Sequence, residues 1–197
     1  MTTLVETESL STPKRVPGEP GAWIFILGDM CVFAVFFSVY LVQRAHDPEL
    51  FARSQEQLNR NLGALNTIFL LMSSLLVVLA VRAVRQDAHR HLAPYLFVGA
   101  IVCGVCFVVV KAFEYHEKIA AGITPETNSF FMYYFVLTGV HLFHLVFGMG
   151  VLSVLWRLAK HENPSGLHLA FIEGGACFWH MVDLLWIVLF PLLFLVR

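Results

Sequence analysis

The sequence predicts an all-α, polytopic membrane protein with five transmembrane helices. Three observations carry that prediction. Only 14% of the 197 residues are charged, against about 25% in an ordinary soluble domain. Mean hydropathy is +0.72, with 58% of residues hydrophobic. Five segments are also apolar over the roughly 20 residues that a helix needs to cross a bilayer. This composition excludes a disordered tail, a collagen-like chain and a disulfide scaffold, and it argues strongly against a soluble globular enzyme. Net charge is −1, with 13 Lys and Arg against 14 Asp and Glu. There is no basic excess to neutralise a phosphate backbone, so nucleic acid is not an expected partner.

Residues 1–20 read as a polar tail with Pro13, Pro17 and Pro20 and no apolar region of the secretory-signal kind. The rest, 21–197, reads as the membrane domain. Its first span, about 22–43, is interrupted only by Asp29. Asp47-Pro48-Glu49 then has the form of an N-cap followed by Pro at the first helical position, opening a short amphipathic segment to about Leu58. The second span, about 62–84, is free of charge through its apolar centre. The third, about 92–119, has Pro94 in its first turn and ends in Lys111-Ala112-Phe113-Glu114-Tyr115. Asn128-Ser129 cap the fourth, about 129–158, and the fifth runs over about 168–196. Backbone groups in lipid must be satisfied within their own segment, so the spans are helices; a barrel would need shorter, alternating strands.

Lys and Arg counts set the orientation. Lys14, Arg15, Arg82, Arg85, Arg90, Arg157 and Lys160 fall on one side, and Arg44, Arg53, Arg60, Lys118 and Arg197 on the other. Seven against five places the N-terminus in the cytoplasm and the C-terminus outside. Cys31, Cys103, Cys106 and Cys177 lie within apolar runs, as buried small hydrophobes do.

An ionisable group within a span is expensive and is by default a functional candidate. Here these groups are Asp29, Lys111, Glu114, His141, His144, Glu173, His180 and Asp183. Counting rise per residue predicts layers: Asp29 level with Glu173, and His144, His180 and Asp183 about two turns deeper. Glu114 and Lys118 stand in the favourable i,i+4 order. One reading makes these groups interhelical glue; the others are a proton route, a cofactor site or a partner contact. His141, His144 and His180 could offer axial imidazoles to haem. The paired Glu-x-x-His pattern of a helical di-metal site is missing from the sequence. A histidine network without metal is the expectation, with no catalytic residue assigned. Arg82, Arg85 and His89, just beyond the second span, are candidates to hold an anionic lipid headgroup.

Several of these residues carry a resemblance. Phe178-Trp179-His180-Met181-Val182-Asp183-Leu184-Leu185-Trp186, preceded by Glu173, is similar to the last helix of haem-copper oxidase subunit III. Thr138-Gly139-Val140-His141-Leu142-Phe143-His144 resembles that family's Thr-Gly-x-His-x-x-His element. Leu65-Asn66-Thr67, Ser73-Ser74 and Lys111 to Tyr115 resemble the helices between, and the likeness runs from about Val16 to the C-terminus. The chain looks like the five-helix form of the family, without the first two helices of the long form.

Gly28-Asp29-Met30 replaces the family's usual Glu with Asp29. Together with Asn128 to Phe135 and Leu189-Phe190-Pro191, it looks like the branch associated with bacterial nitric oxide reductases. The resemblance implies an accessory subunit of a bacterial inner-membrane respiratory complex, without haem or copper of its own. It implies seating beside a catalytic haem-copper subunit, support of proton uptake and stability in turnover, and structural phospholipid. It also implies that helices 1 and 2 pack apart from helices 3 to 5, leaving a V-shaped lipid cleft. The alternative is a self-sufficient proton-coupled transporter or channel using Asp29 and Glu173.

Overall fold

A computed structural model describes residues 20–160 and 166–196. The tail expected over residues 1–20 lies outside them but for Pro20. The regular structure among the described residues is helical throughout: α1 Pro20–His46, α2 Pro48–Glu56, α3 Arg60–Arg85, α4 Ala93–Ala120, α5 Ser129–Ala159 and α6 Gly166–Phe190. A 3-10 segment, Asp87–Leu92, joins α3 to α4, and a wider π turn, Pro191–Leu195, continues α6. All but α2 are long and apolar enough to cross a membrane, five in all.

Local chemistry sets many of the helix ends. Asp47 Oδ1 accepts from Leu50 N at 3.2 Å, with Pro48 in the first turn of α2. Asn59 caps α3, and Asn128 caps α5 by accepting from Phe131 N at 2.9 Å. Pro191 has no N–H to continue α6, and the backbone widens there. The last carbonyls, otherwise orphaned, accept from Tyr40 Oη (Leu192, 3.3 Å) and Gln55 Nε2 (Leu193, 2.9 Å).

Helix packing departs from the expected grouping. α1 and α3 do not form a unit set apart from the rest. α3 makes its largest interface with α4 and another with α6, while α1 rests on α5 and α6. The cause is hydrogen bonding by small hydroxyls on α3. Ser73 Oγ donates to Ala100 O on α4 at 2.9 Å and accepts from Trp179 Nε1 on α6 at 3.1 Å. Thr67 Oγ1 accepts from Trp186 Nε1 at 3.1 Å. Lipid offers no hydrophobic reason to choose one helix face over another, so polar contacts and small residues choose. Gly148 and Gly175 let α5 and α6 close up; a Cβ on Gly148 would meet Trp179 at 2.8 Å. In place of the V-shaped cleft between helix groups, an apolar groove of about 420 Å³ lies between α1, α5 and α6, lined by Phe25, Phe147, Phe171 and Phe178 among others.

Candidate functional site

The helices alternate in direction. The C-terminal end of α3 therefore meets the N-terminal end of α6, and α2 lies across the opposite end of the bundle. The polar groups divide between these ends and a middle layer.

At the α2 end, Lys111 Nζ donates to Glu114 Oε2 at 3.0 Å and to Tyr134 Oη at 3.1 Å, and Tyr134 Oη donates to Glu114 Oε1 at 2.7 Å. The Lys111 and Glu114 side chains are 1% and 0% exposed. The ring of Tyr134 stands 4.7 Å from the ammonium and that of Trp186 5.5 Å, adding cation–π attraction. Tyr115 hydrogen-bonds Thr138, which donates to Tyr134 O. The expected Glu114–Lys118 pair does not form. Glu114 turns back to Lys111, on the side where Tyr134 completes the cluster, and Lys118 Nζ donates to the Gln57 carbonyl beyond α2.

Asp29 meets the histidine expected deeper in the membrane and not Glu173: its Oδ1 lies 3.1 Å from His144 Nε2 on α5, while Glu173 turns to Arg85 on α3. His144 Nδ1 is 2.8 Å from Val140 O, so the ring is held between the α5 backbone and the Asp29 carboxylate.

Glu173 pairs with Arg85, Oε1 to Nη2 at 2.6 Å, with side chains 14% and 53% exposed respectively. Arg85 and Arg82 line a groove of about 240 Å³ together with Glu173, Cys177 and His180. His89 is exposed on the 3-10 segment and does not line that groove. His180 Nδ1 lies 2.7 Å from the Ser74 hydroxyl. Asp183 stands near Ser74, but neither carboxylate oxygen is in a hydrogen bond. His141 is fully buried against Trp186 and Phe107, at 5.3 and 5.8 Å between ring centroids, and neither ring nitrogen has a partner. Asn66 is likewise buried and unpartnered. Among the described residues no three His, Cys, Asp or Glu converge as a metal site.

Sequence reasoning on chemistry missed Asn66, Thr67, Ser73 and Tyr134. One signal was available: Thr67 and Ser73 stand six residues apart and Trp179 and Trp186 seven, so an antiparallel pair of helices would bring both hydroxyls to indole donors.

Fold and site define a multi-pass membrane protein whose polar chemistry is almost wholly internal. The chain belongs to the cytochrome c oxidase subunit III family, which matches residues 18–196. It is 31% identical to cytochrome c oxidase subunit 3 of Synechocystis sp. over 89% of this chain and 74% of that protein. It is 28% identical to cytochrome bo(3) ubiquinol oxidase subunit 3 of Buchnera aphidicola, over 89% and 84%. A haem-copper oxidase subunit I+III of Aeropyrum pernix is 29% identical, over 88% of this chain and 22% of its own length.

Proposed function

We propose that this chain is the accessory subunit III of a bacterial respiratory complex, seated in the inner membrane beside a catalytic haem-copper subunit. The family match across 18–196 carries the reading. The fused subunit I+III relative supports the partner, since its name joins both subunits in one chain. The Gly28-Asp29-Met30 variant favours a nitric oxide reductase as the complex served, with an oxygen-reducing oxidase as the alternative. The subunit itself holds no haem or copper. Its N-terminus is cytoplasmic, on the Lys and Arg count.

Within the complex, the contact of Asp29 with His144 supports a part in proton uptake or in stability during turnover. Phospholipid is a structural partner: the apolar groove between α1, α5 and α6 suits acyl chains, and Arg82 and Arg85 offer charge to a headgroup. Native-membrane pull-down tests the reading. A haem-containing catalytic subunit should co-purify, and assays of that complex for O2 and NO reduction assign the acceptor. A stoichiometric Soret band in the isolated chain, or recovery with no haem protein, would overturn it.

A further inference from the structure

α2 is nine residues long, too short to span a membrane, and lies across the end of the bundle. Its inner side is buried, with Phe51 1%, Ser54 3% and Gln55 2% exposed. On its outer side the Glu49 and Arg53 side chains are 84% and 81% exposed. Three ties hold it down, one to each helix end beneath. Gln55 Nε2 donates to Leu193 O in the turn after α6 at 2.9 Å, and Asn128 Nδ2 at the start of α5 donates to Ser54 Oγ at 3.0 Å. The third comes from Lys118 Nζ near the end of α4, which donates to Gln57 O.

The third tie keeps Lys118 from a carboxylate one turn away. On α4, Glu114 has Lys111 at i−3 and Lys118 at i+4, and Glu ahead of Lys by four is the order a helix favours on its own. With α2 seated, Glu114 takes Lys111 at 3.0 Å and Tyr134 Oη at 2.7 Å. Lys118 is spent on a neutral carbonyl, a weaker acceptor than a carboxylate. Remove α2, and Lys118 loses that acceptor and is free to turn to Glu114. Lys111 is not left bare by the exchange. Tyr134 Oη lies 3.1 Å from its ammonium, and the rings of Tyr115, Tyr134, Trp186 and Phe194 stand between 4.7 and 5.6 Å from it. Phe194 directly follows Leu193, the residue that latches Gln55, so the lid and the cage around Lys111 share one turn of backbone.

We propose that α2 is a lid coupled to a two-position ion pair: Glu114 pairs with Lys111 when α2 is seated and passes to Lys118 when α2 lifts. In the lifted form Lys111 is held by Tyr134, the aromatic rings and entering water. The three ties keep the seated form in the majority. Two packings of one segment, each with its own set of polar partners, make a discrete switch. The device is independent of the respiratory reading.

The test treats the intact complex with a small, water-soluble, amine-reactive ester and follows modification of Lys111 by peptide mass spectrometry. Gln55→Ala removes one tie and should raise the rate at Lys111 about fivefold, the change in population that one net hydrogen bond corresponds to. Ser54→Ala should act in the same direction. A disulfide between Ser54→Cys and Asn128→Cys, placed where the two side chains already touch, should return the rate in Gln55→Ala to the wild-type level, and reductant should release it. The exchange of partners is read by Lys118→Met. Added to Gln55→Ala, it leaves Glu114 with Lys111 alone and should abolish most of the gain. An unchanged rate in both Gln55→Ala and Ser54→Ala would overturn the lid. A gain that survives Lys118→Met would overturn the switch, because Lys111 would then be uncovered without losing Glu114 to Lys118.

Discussion

The two ends of the bundle handle charge in opposite ways. At the α2 end the charges are sealed. Lys111 and Glu114 are buried together, every polar atom of the ring they form with Tyr134 has a partner, and α2 is fixed over them by Gln55, Ser54 and Gln57. At the other end the Arg85–Glu173 pair opens to a groove, two further grooves lie nearby, and basic side chains crowd the rim. A sealed pair is excluded from exchange with solvent or ligand, and removing one member leaves a bare charge in a medium that cannot solvate it. An open pair can trade partners at small cost. Structure is invested at one end and access at the other.

The largest effect should come from breaking the seal. Glu114→Ala strands the Lys111 ammonium among aromatic rings and should cost about 3–5 kcal/mol. Thermal dissociation of the subunit from its complex measures this. The double variant Lys111→Met, Glu114→Leu should recover most of the loss, because it removes both charges and keeps the volume. If Glu114→Ala alone is neutral, the two ends do not differ as argued.

Next is the seam between α5 and α6, the scaffold on which both ends depend. Gly148→Ala places a methyl carbon 2.8 Å from the Trp179 ring, and Trp179 cannot swing away without leaving Ser73. Overpacking of this kind costs about 1–3 kcal/mol. Gly150→Ala, with open space where its Cβ would stand, serves as the control and should be near neutral in the same assay.

Features governed by near neighbours in sequence are legible in the sequence itself. The caps at Asp47 and Asn128 are examples, since the acceptor and the amide it serves lie three residues apart. So is the membrane class, which follows from composition. Packing is not. α1 and α5 are apolar on nearly every face, so their sequences carry no stripe to say which side meets which helix. Glu114 shows a finer limit. It has a lysine at both i−3 and i+4, and only Tyr134, 20 positions away, decides between them. Asp29 is a further case: the count of rise sets it level with Glu173, but its partner His144 lies on α5, which nothing in the sequence of α1 indicates.

Asp29→Asn sharpens the comparison in the middle of the membrane. Asn keeps the shape of Asp and an amide able to hydrogen-bond His144 Nε2, so the bridge between α1 and α5 survives without the carboxylate. Stability should change by only about 0.6 kcal/mol, the mean worth of an interhelical hydrogen bond in a bilayer. Turnover or proton uptake by the assembled enzyme should fall nonetheless. Full rates with intact assembly would reduce Asp29 to a packing residue.

The open pair also carries only a small stability effect. Glu173 is mostly buried, but Arg85 keeps half of its side chain exposed and can turn to solvent or to an anion in the adjoining groove. The Coulombic gain is thus screened on one side, and Glu173→Gln should cost no more than about 1 kcal/mol. Gln retains a carbonyl oxygen able to accept from Arg85, which reduces the loss further. What changes is charge. With the carboxylate gone, Arg85 joins Arg82 as a cation with no carboxylate partner among the described residues, so the groove should hold anionic lipid more strongly than in the wild type. Lipid counting on the purified complex checks this: more phosphatidylglycerol retained in Glu173→Gln, and the gain abolished by adding Arg85→Gln. If retention is unchanged, Glu173 does not compete with lipid for Arg85. If proton uptake is also normal in both Asp29→Asn and Glu173→Gln, the two carboxyls serve only to hold helices together.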